Sequence, residues 1–341
     1  MHFDEYTNLE RTPVTLGPGV FLLGDTMTEK LFKTYDEQLN ILSARGITLS
    51  PQNERVKAKQ IIQREGYYKL INGYKELFLS ERTPEDKYIE GTTVGEIFAL
   101  YNFDRELREI FLRYILHVET NVKSLISYSI SENYGHEYFL KYSNFNTSMK
   151  DADKQISSVL ADIQRQISSN TSDPCIKHYL KNYGYIPMWV LNNILTLGTI
   201  SKFYSIMKIS DRQSISKVFK ILDKHLDSFL YYLSIVRNFS AHGNRLYCLR
   251  TTKPLADTNI HKKLSIKMHH NEYTNGKRDL FASVIALRYL LSVNEFKHFM
   301  FDLSESIDKL SAKLKVIKIE TVLSSMGFPT NWKDIVQKGI K

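Results

Sequence analysis

The chain has 341 residues, of which 43% are hydrophobic and 24% are charged, and it contains only 15 glycines and 8 prolines. This composition excludes collagen-like, low-complexity and wholly disordered proteins, and the length suffices for one large domain or two medium ones. The formal net charge of +9 suggests an anionic partner such as a nucleic acid, although many soluble proteins are equally basic.

Helix-forming sequence dominates the chain. Proline and glycine are sparse over long stretches, and apolar residues recur there at three-and-four spacing. Helices are predicted at residues 29–45, 56–78, 93–130, 154–167, 188–195, 199–207, 223–242 and 280–314. Because alternating strand patterns are nearly absent, the predicted fold class is all-α.

Turn chemistry divides the chain. Residues 142–150 and 168–174 are rich in Ser, Asn and Thr and are predicted linkers, while residues 243–277 form the largest irregular region. The predicted organisation is an N-terminal helical region at 1–90 packing on the core, a helical domain at 91–320 with an inserted loop at 243–279, and a C-terminal tail helix at 321–341.

No feature of the sequence predicts a membrane protein or a metalloprotein. The first 14 residues carry acids and lack an apolar core, so we expect no signal peptide. The longest apolar run, residues 280–293, is interrupted by Arg288 and is too short to cross a bilayer. Two cysteines, Cys175 and Cys248, make no disulfide framework or four-thiolate zinc site, and their scarcity fits a reducing cytosol. A cytoplasmic protein without a cofactor is expected.

The end of the helix predicted at residues 223–242 carries Arg237 and Asn238, followed by His242. Helix geometry places Arg237 near the middle of an apolar arc, with His242 about 140° away. Gly243 is a predicted C-cap, so the histidine lies against the negative helix pole, which favours its imidazolium form.

Two interpretations of these residues remain open. In the first, Arg237 is a core arginine paired with an acid such as Glu119, and His242 caps the helix; a chain with ten histidines supplies such a pair by chance. In the second, Arg237 holds the non-bridging oxygens of an RNA phosphate, and His242 moves the proton. Asn238 then orients the imidazole or the phosphate. RNA carries its own nucleophile, the 2′-OH, so this chemistry requires no metal.

The region that follows the motif is basic. Residues 251–280 hold six Lys or Arg against three acids, and they include histidines without zinc-type spacing, which argues against a metal site. Lys262, Lys263 and Lys267, together with Arg245, are candidate contacts to an RNA backbone. A solvated loop is the alternative interpretation of this segment.

Aromatic residues allow a similar choice between packing and binding. Tyr67, Tyr68 and Tyr74 have the ring chemistry that stacks on bases, but at helical spacing they also fit the core and its rim. Trp189 is expected in the core.

The Arg237-Asn238-x-x-x-His242 pattern resembles the R-x4-6-H signature of HEPN ribonucleases, and the wider chain resembles the Abi-like (AbiD/AbiF) phage abortive-infection proteins, a HEPN branch. The resembling blocks are ordered along the chain, and jointly they are specific. They lie at residues 38–46, 66–78 (beginning GYYKLINGY), 100–108 (LYNFDRELR), 118–119, 187–201 (beginning PMWV) and 327–332.

This resemblance implies a HEPN-like helical bundle with additional N-terminal and C-terminal helices. It also implies RNA cleavage without a metal and a homodimer that joins two Arg–His motifs in one composite site. Glu119 becomes the acid that positions Arg237, the alternative being a surface ion pair with Lys123. Asn193 stands where the family usually has a glutamate, which puts any role of that glutamate in doubt here.

The expected function is a metal-independent endoribonuclease of phage defence, with RNA as substrate and a small RNA as a candidate regulator. The alternative is a non-catalytic HEPN-type module that binds RNA or a protein and uses the same residues structurally. A DNA-binding protein is not expected, because no clear helix-turn-helix pattern occurs. Since such an enzyme would be toxic, some restraint on its activity is expected by analogy.

Overall fold

The structure, a computed structural model, describes residues 31–82 and 85–337. The predictions for the first 30 residues, including the absence of a signal peptide and the start of the first helix, lie outside the described residues. The all-α prediction is confirmed. Within the described residues, no helix is both long and apolar enough to span a bilayer. The division into three regions stays a prediction.

The elements follow one another in chain order. The α-helices are α1 (Tyr35–Ala44), α2 (Gln52–Glu65), α3 (Val94–Tyr134), α4 (Ala152–Ser169), α5 (Pro174–Tyr183), α6 (Met188–Leu191), α7 (Leu197–Ile206), α8 (Ile209–Val218), α9 (Asp223–Ala241), α10 (Asn259–Lys263), α11 (Leu280–Leu290), α12 (Val293–Ser311) and α13 (Ile319–Ser325). A π-helical turn spans Tyr68–Asn72, and 3-10 turns span Lys75–Phe78, Tyr142–Asn144 and Trp332–Val336. The short antiparallel pairs are β1 (Leu79–Glu81) with β2 (Lys87–Tyr88) and β3 (Met268–His269) with β4 (Glu272–Tyr273).

Helix α3 is the long central element of the fold. It has 41 residues, which gives a length of about 60 Å at 1.5 Å per residue. The Thr93 side chain caps its start by accepting the Glu96 N–H at 3.1 Å, and Gly135, at φ +74°, ends it. Helices α9 and α12 pack along α3, and α7 and α11 pack on α9.

Apolar burial holds these helices together. Leu107, Ile115 and Val122 of α3 are fully buried, as are Leu226 and Leu233 of α9. Burying each such side chain contributes about 1.5–3 kcal/mol relative to leaving it in water. The residues whose apolar periodicity predicted the helices at 93–130 and 223–242 are therefore the buried residues of α3 and α9.

Three helix predictions need correction. The helix predicted at residues 280–314 is two helices, because Ser292 and Glu295 form a capping box that starts α12. The helix predicted at residues 56–78 breaks at Gly66, where φ is +80°, and continues as π and 3-10 turns. The helix predicted at residues 188–195 ends at Leu191.

Helices α5, α8 and α10 were absent from the prediction. The start of α5 carries a recognisable signal that fell inside a predicted linker. The Asp173 side chain accepts the Cys175 and Ile176 N–H groups, and Pro174 occupies the first turn, where its missing N–H costs nothing.

The irregular region at residues 243–277 is ordered by buried polar groups. His261 is fully buried, stacks on Tyr273 at 4.7 Å between centroids, and lies 2.9 Å from the Gly276 carbonyl oxygen through Nε2. Lys277 is also buried, and its ammonium donates to Asp257 at 2.6 Å and to the Leu255 carbonyl. Lys277, which was counted among the basic residues of the segment, is therefore a structural cation.

Candidate functional site

The last turn of α9 presents the predicted arginine and histidine. His242 is the C-cap residue, and its N–H donates to the Asn238 carbonyl at 3.0 Å. Gly243 follows at φ +71°, and the Asn244 N–H returns to the Phe239 carbonyl at 3.0 Å, which completes a Schellman motif. The predicted role of Gly243 at the helix end is confirmed. His242 and Asn238 are exposed on this turn.

Arg237 points back from this turn towards α3. Its Nε lies 3.8 Å from Oε2 of Glu119, within ion-pair range but beyond hydrogen-bond range. Both atoms are buried, and neither has a hydrogen-bond partner among the described residues. The side chain of Arg237 is nevertheless 28% exposed. The Nε edge of the Arg237 side chain therefore faces Glu119, and another part of the side chain is open to solvent.

Glu119 lies between two cations. Its Oε1 accepts a hydrogen bond from Lys123 Nζ at 2.7 Å, one turn further along α3, and its Oε2 faces Arg237. The side chains of Lys123 and Glu119 are only 16% and 8% exposed. The ion pair with Lys123 is therefore present, but it is largely buried and does not lie on the surface. A single buried carboxylate opposite two cations leaves positive charge unbalanced at this site, which suits an anionic ligand.

A buried carboxylate holds the chain that leaves the Arg–His turn. Asp104 of α3 is fully buried, and its Oδ1 accepts the backbone N–H groups of Leu246 at 2.9 Å and Tyr247 at 2.7 Å. Its Oδ2 accepts the Tyr74 hydroxyl at 2.7 Å and a hydrogen bond from Arg108. All four contacts converge on one side chain and tie α3 to the segment just beyond His242.

Arg108 adds a further contact to this cluster, which is called the Asp104 clamp below and consists of Asp104, Tyr74, Arg108 and the backbone of residues 244–247. Its Nη1 also donates to the carbonyl of Asn244 at 3.2 Å, two residues after His242. Burial raises the pKa of the Asp104 carboxyl, and the hydrogen bond from Tyr74, the positive charge of Arg108 and the backbone hydrogen bonds oppose that rise. Burial and the neighbouring Asp104 raise the pKa of Tyr74, so its hydroxyl keeps the proton that it donates.

Sequence reasoning missed the role of this clamp. Tyr74, Asp104 and Arg108 lie in the blocks GYYKLINGY and LYNFDRELR, which carried the family resemblance. Asp104 and Arg108 were given no function, and Tyr74 was considered only for base stacking or core packing. The available signal was an Asp–Arg pair one turn apart beside the apolar face of α3. Such a pair needs further buried partners, and the structure supplies them from the segment after His242.

None of the contacts of the weaker RNA-binding candidates that the structure shows is to Arg237 or His242. Arg245 donates to the Gly73 carbonyl at 2.7 Å. Lys262, Lys263 and Lys267 are exposed. Their segment meets α9 where the Ala256 N–H donates to Ser228 at 2.9 Å. Ser228 precedes His242 by about 21 Å of helix rise.

The three tyrosines considered for base stacking differ in their burial. Tyr74 is buried in the clamp, Tyr68 is 80% exposed, and Tyr67 packs half-buried against the core. The expectation that Trp189 lies in the core is wrong, because its side chain is 49% exposed. It lines a groove of about 880 Å³ between α3 and the α6 turn, together with Lys123, Asn192 and Asn193.

The site is therefore a polar, cationic turn on an all-α scaffold. In the part of the chain that the structure describes, no cluster of three or more His, Cys, Asp or Glu side chains has the geometry of a metal site. Arg237, Lys123, His242 and Asn238 offer hydrogen-bond donors and a titratable ring. Fold and site together define an all-α protein with a cationic turn that pairs an arginine with a histidine.

A family model described as Abi-like protein matches residues 60–248, more than half of the chain. The chain therefore belongs to the Abi-like family, a membership that suggests a part in abortive infection, a form of phage defence. The matched residues include the Asp104 clamp, Glu119 and the Arg237–His242 turn. No curated protein and no solved structure matches the chain.

Proposed function

We propose that this Abi-like protein is a metal-independent endoribonuclease of the HEPN type that acts in abortive infection in the cytoplasm. One observation carries the proposal. The guanidinium of Arg237, held at one edge by Glu119 and otherwise without a hydrogen-bond partner in the described chain, shares a terminal helical turn with the exposed His242. Charge neutralisation and proton transfer are the two tasks of RNA cleavage by the 2′-OH.

The proposed chemistry needs only the substrate's own atoms and these side chains. A histidine takes the 2′-OH proton, and the 2′ oxygen attacks the adjacent phosphorus. The bond from phosphorus to the 5′ oxygen breaks, and that oxygen receives a proton. The products are a 2′,3′-cyclic phosphate and a 5′-hydroxyl end. Arg237 neutralises the charge on the non-bridging oxygens, and Asn238 orients the imidazole or the phosphate.

A homodimer suits this chemistry, because one chain supplies one Arg237 and one His242 whereas two proton transfers are needed. A second copy would place two such turns around one phosphate. The single motif in each chain and the exposure of His242 and Asn238 support this arrangement. A small RNA remains a candidate regulator, since an unrestrained ribonuclease would damage its own cell.

Four purified proteins test the proposal on total RNA in the presence of EDTA. We expect the wild type to produce fragments with cyclic phosphate ends. His242→Ala and Arg237→Ala should each cleave at least about 100-fold more slowly, the usual contribution of a general acid–base or oxyanion-stabilising group. His298→Ala, which removes an exposed histidine of α12, is the matched control and should cleave normally.

Intact RNA with the wild type, or unchanged cleavage by both site variants, would refute the enzyme. Retained RNA binding without cleavage would instead favour the non-catalytic module. In cells, overexpression of the wild type should stop growth, and overexpression of His242→Ala should not.

A further inference from the structure

Helix α6 presents its largest side chain to solvent. Met188, Val190 and Leu191 are buried, whereas Trp189 is 49% exposed. An exposed tryptophan within a contiguous patch of rings, surrounded by polar groups, is typical of an interaction site rather than of packing.

Trp189 is one end of a continuous row of rings. His136 lies 6.4 Å from Trp189 and 5.5 Å from Tyr185 between ring centroids. Tyr183 lies 6.1 Å from Tyr185 and 5.3 Å from Tyr179. Tyr183 is 56% exposed, and His136 is exposed as well. These five residues are called the aromatic row below. Helical spacing on α5 pairs Tyr179 with Tyr183, and tertiary structure adds His136 and Trp189 from two other places in the chain.

The groove beside Trp189 connects the aromatic row with the candidate site. Lys123, Ser127 and Ser131 follow one another along one face of α3 and form one wall, and Asn192 lies on the other. The side-chain oxygens of Ser127, Ser131 and Asn192 are buried without a hydrogen-bond partner among the described residues. Since buried polar atoms are nearly always paired, a groove with three unpaired oxygens suits a polar ligand.

Lys123 also belongs to the candidate site, since it binds Glu119, which contacts Arg237. A nucleic acid strand whose phosphate lies on Arg237 can therefore continue past Lys123 into the groove and reach Trp189. Aromatic rings stack on any base, and hydroxyl and amide groups hydrogen-bond to the edges of unpaired bases. An A-form duplex hides its base faces, so only a single strand can use the row.

We propose that the groove and the aromatic row bind single-stranded RNA, with unpaired bases stacked on Trp189 and Tyr183 and their edges facing Ser127, Ser131 and Asn192. This inference rests on the proposed function, because it names the form of RNA that the Arg237–His242 site receives. A surface for another protein is the competing use of exposed rings. RNA is favoured over a protein by the unpaired oxygens in the groove and by Glu119, which contacts both Lys123 of the groove and Arg237 of the candidate site.

The test uses the full chain in a His242→Ala background, so that RNA stays intact. The probe is a fluorescein-labelled oligouridylate of about 12 nucleotides, a length within the range of single-strand sites. Trp189→Ala and Tyr183→Ala should each weaken binding about tenfold, because one stacked base contributes about 1–3 kcal/mol. Trp189→Phe, which keeps an aromatic face, should bind within about threefold of the background.

A matched control and a second signal accompany the affinities. Phe301→Ala removes a ring that is 68% exposed on α12, and it should not change binding. The chain has two tryptophans, and Trp332 is only 4% exposed. The oligouridylate should therefore quench the fluorescence of Trp189 in the background protein, whereas a duplex of equal length should not.

The outcomes separate this inference from the proposed function. Wild-type cleavage combined with unchanged binding by Trp189→Ala and Tyr183→Ala overturns the aromatic row alone. A wild type that neither binds nor cleaves RNA overturns both. Ring variants that bind RNA normally but change the sedimentation of the protein assign the surface to a protein contact, which also overturns the inference.

Discussion

Replacing Asp104 by Asn tests whether a buried charge holds the segment that follows the Arg–His turn. The substitution keeps the size of the side chain and one acceptor oxygen for the Leu246 and Tyr247 N–H groups. It places an amide NH₂ where Asp104 now accepts from Tyr74 and Arg108. Arg108, whose side chain is 8% exposed, then retains the Asn244 carbonyl as its acceptor.

The expected loss is about 3–5 kcal/mol in the free energy of unfolding, the usual effect of removing one partner from a buried ion pair. Tyr74→Phe removes a single hydrogen bond to the same carboxylate and should cost about 1.5–3 kcal/mol. Urea denaturation followed by circular dichroism measures both. Hydrogen exchange should show that the Leu246 and Tyr247 amides lose protection in Asp104→Asn, because these amides donate to Asp104.

The double variant Asp104→Asn with Arg108→Met is the control. Removing both charges leaves no unpaired buried cation, so the double variant should be more stable than Asp104→Asn alone. A loss below about 1 kcal/mol for Asp104→Asn would refute the reasoning. It would mean that the folded protein already holds Asp104 neutral, in the direction in which burial raises its pKa.

Four further expectations follow from other positions. Gly243→Ala should cost about 1 kcal/mol by urea denaturation, because φ is +71° but a Cβ there meets no atom within 4 Å. Gly327→Ala should cost about 3 kcal/mol or more in the same assay, since its Cβ would lie 2.1 Å from Cγ of Asp279. Burial raises the pKa of Asp279 to about 7, so this group favours the folded state most at low pH. Its contribution is lost as the pH rises from about 4 through 7, and urea denaturation should show wild type losing stability relative to Asp279→Asn over that interval; parallel profiles would contradict this. Glu119→Gln should slow RNA cleavage even when wild type and variant are compared at the same folded fraction, because Arg237 loses the carboxylate that positions it. Equal cleavage rates under that condition would contradict a positioning role.

The helical core was readable from the sequence because its signals are local. Apolar spacing predicted α3 and α9, and Gly243 predicted the end of α9. The break between α11 and α12 was missed although it is also local. There the apolar run continues through Leu291, and the capping box of Ser292 and Glu295 decides where the second helix begins.

The parts of the site that were missed depend on contacts between distant segments. Asp104 meets Leu246 and Tyr247, which are 142 and 143 residues away in the chain. The exposure of Trp189 depends on which neighbours α6 packs against, and the pattern of a four-residue helix cannot specify that. From sequence alone, a tryptophan between apolar residues is predicted to be buried, and only the fold shows which face of α6 is covered.

The Asp104 clamp and the Arg–His turn are both tied to helix α3. Helix α9 fixes Arg237 and His242 relative to each other, since both lie on its last turn. The position of that turn against α3 depends on contacts on either side of it. Before the turn, Glu119 of α3 forms an ion pair with Arg237 of α9. After it, Asp104 and Arg108 hydrogen-bond to the backbone two to five residues beyond His242. Both acids lie on α3, about 22 Å apart along its axis at 1.5 Å per residue. A change in the packing of α3 against α9 would therefore move the arginine and the histidine together relative to the groove.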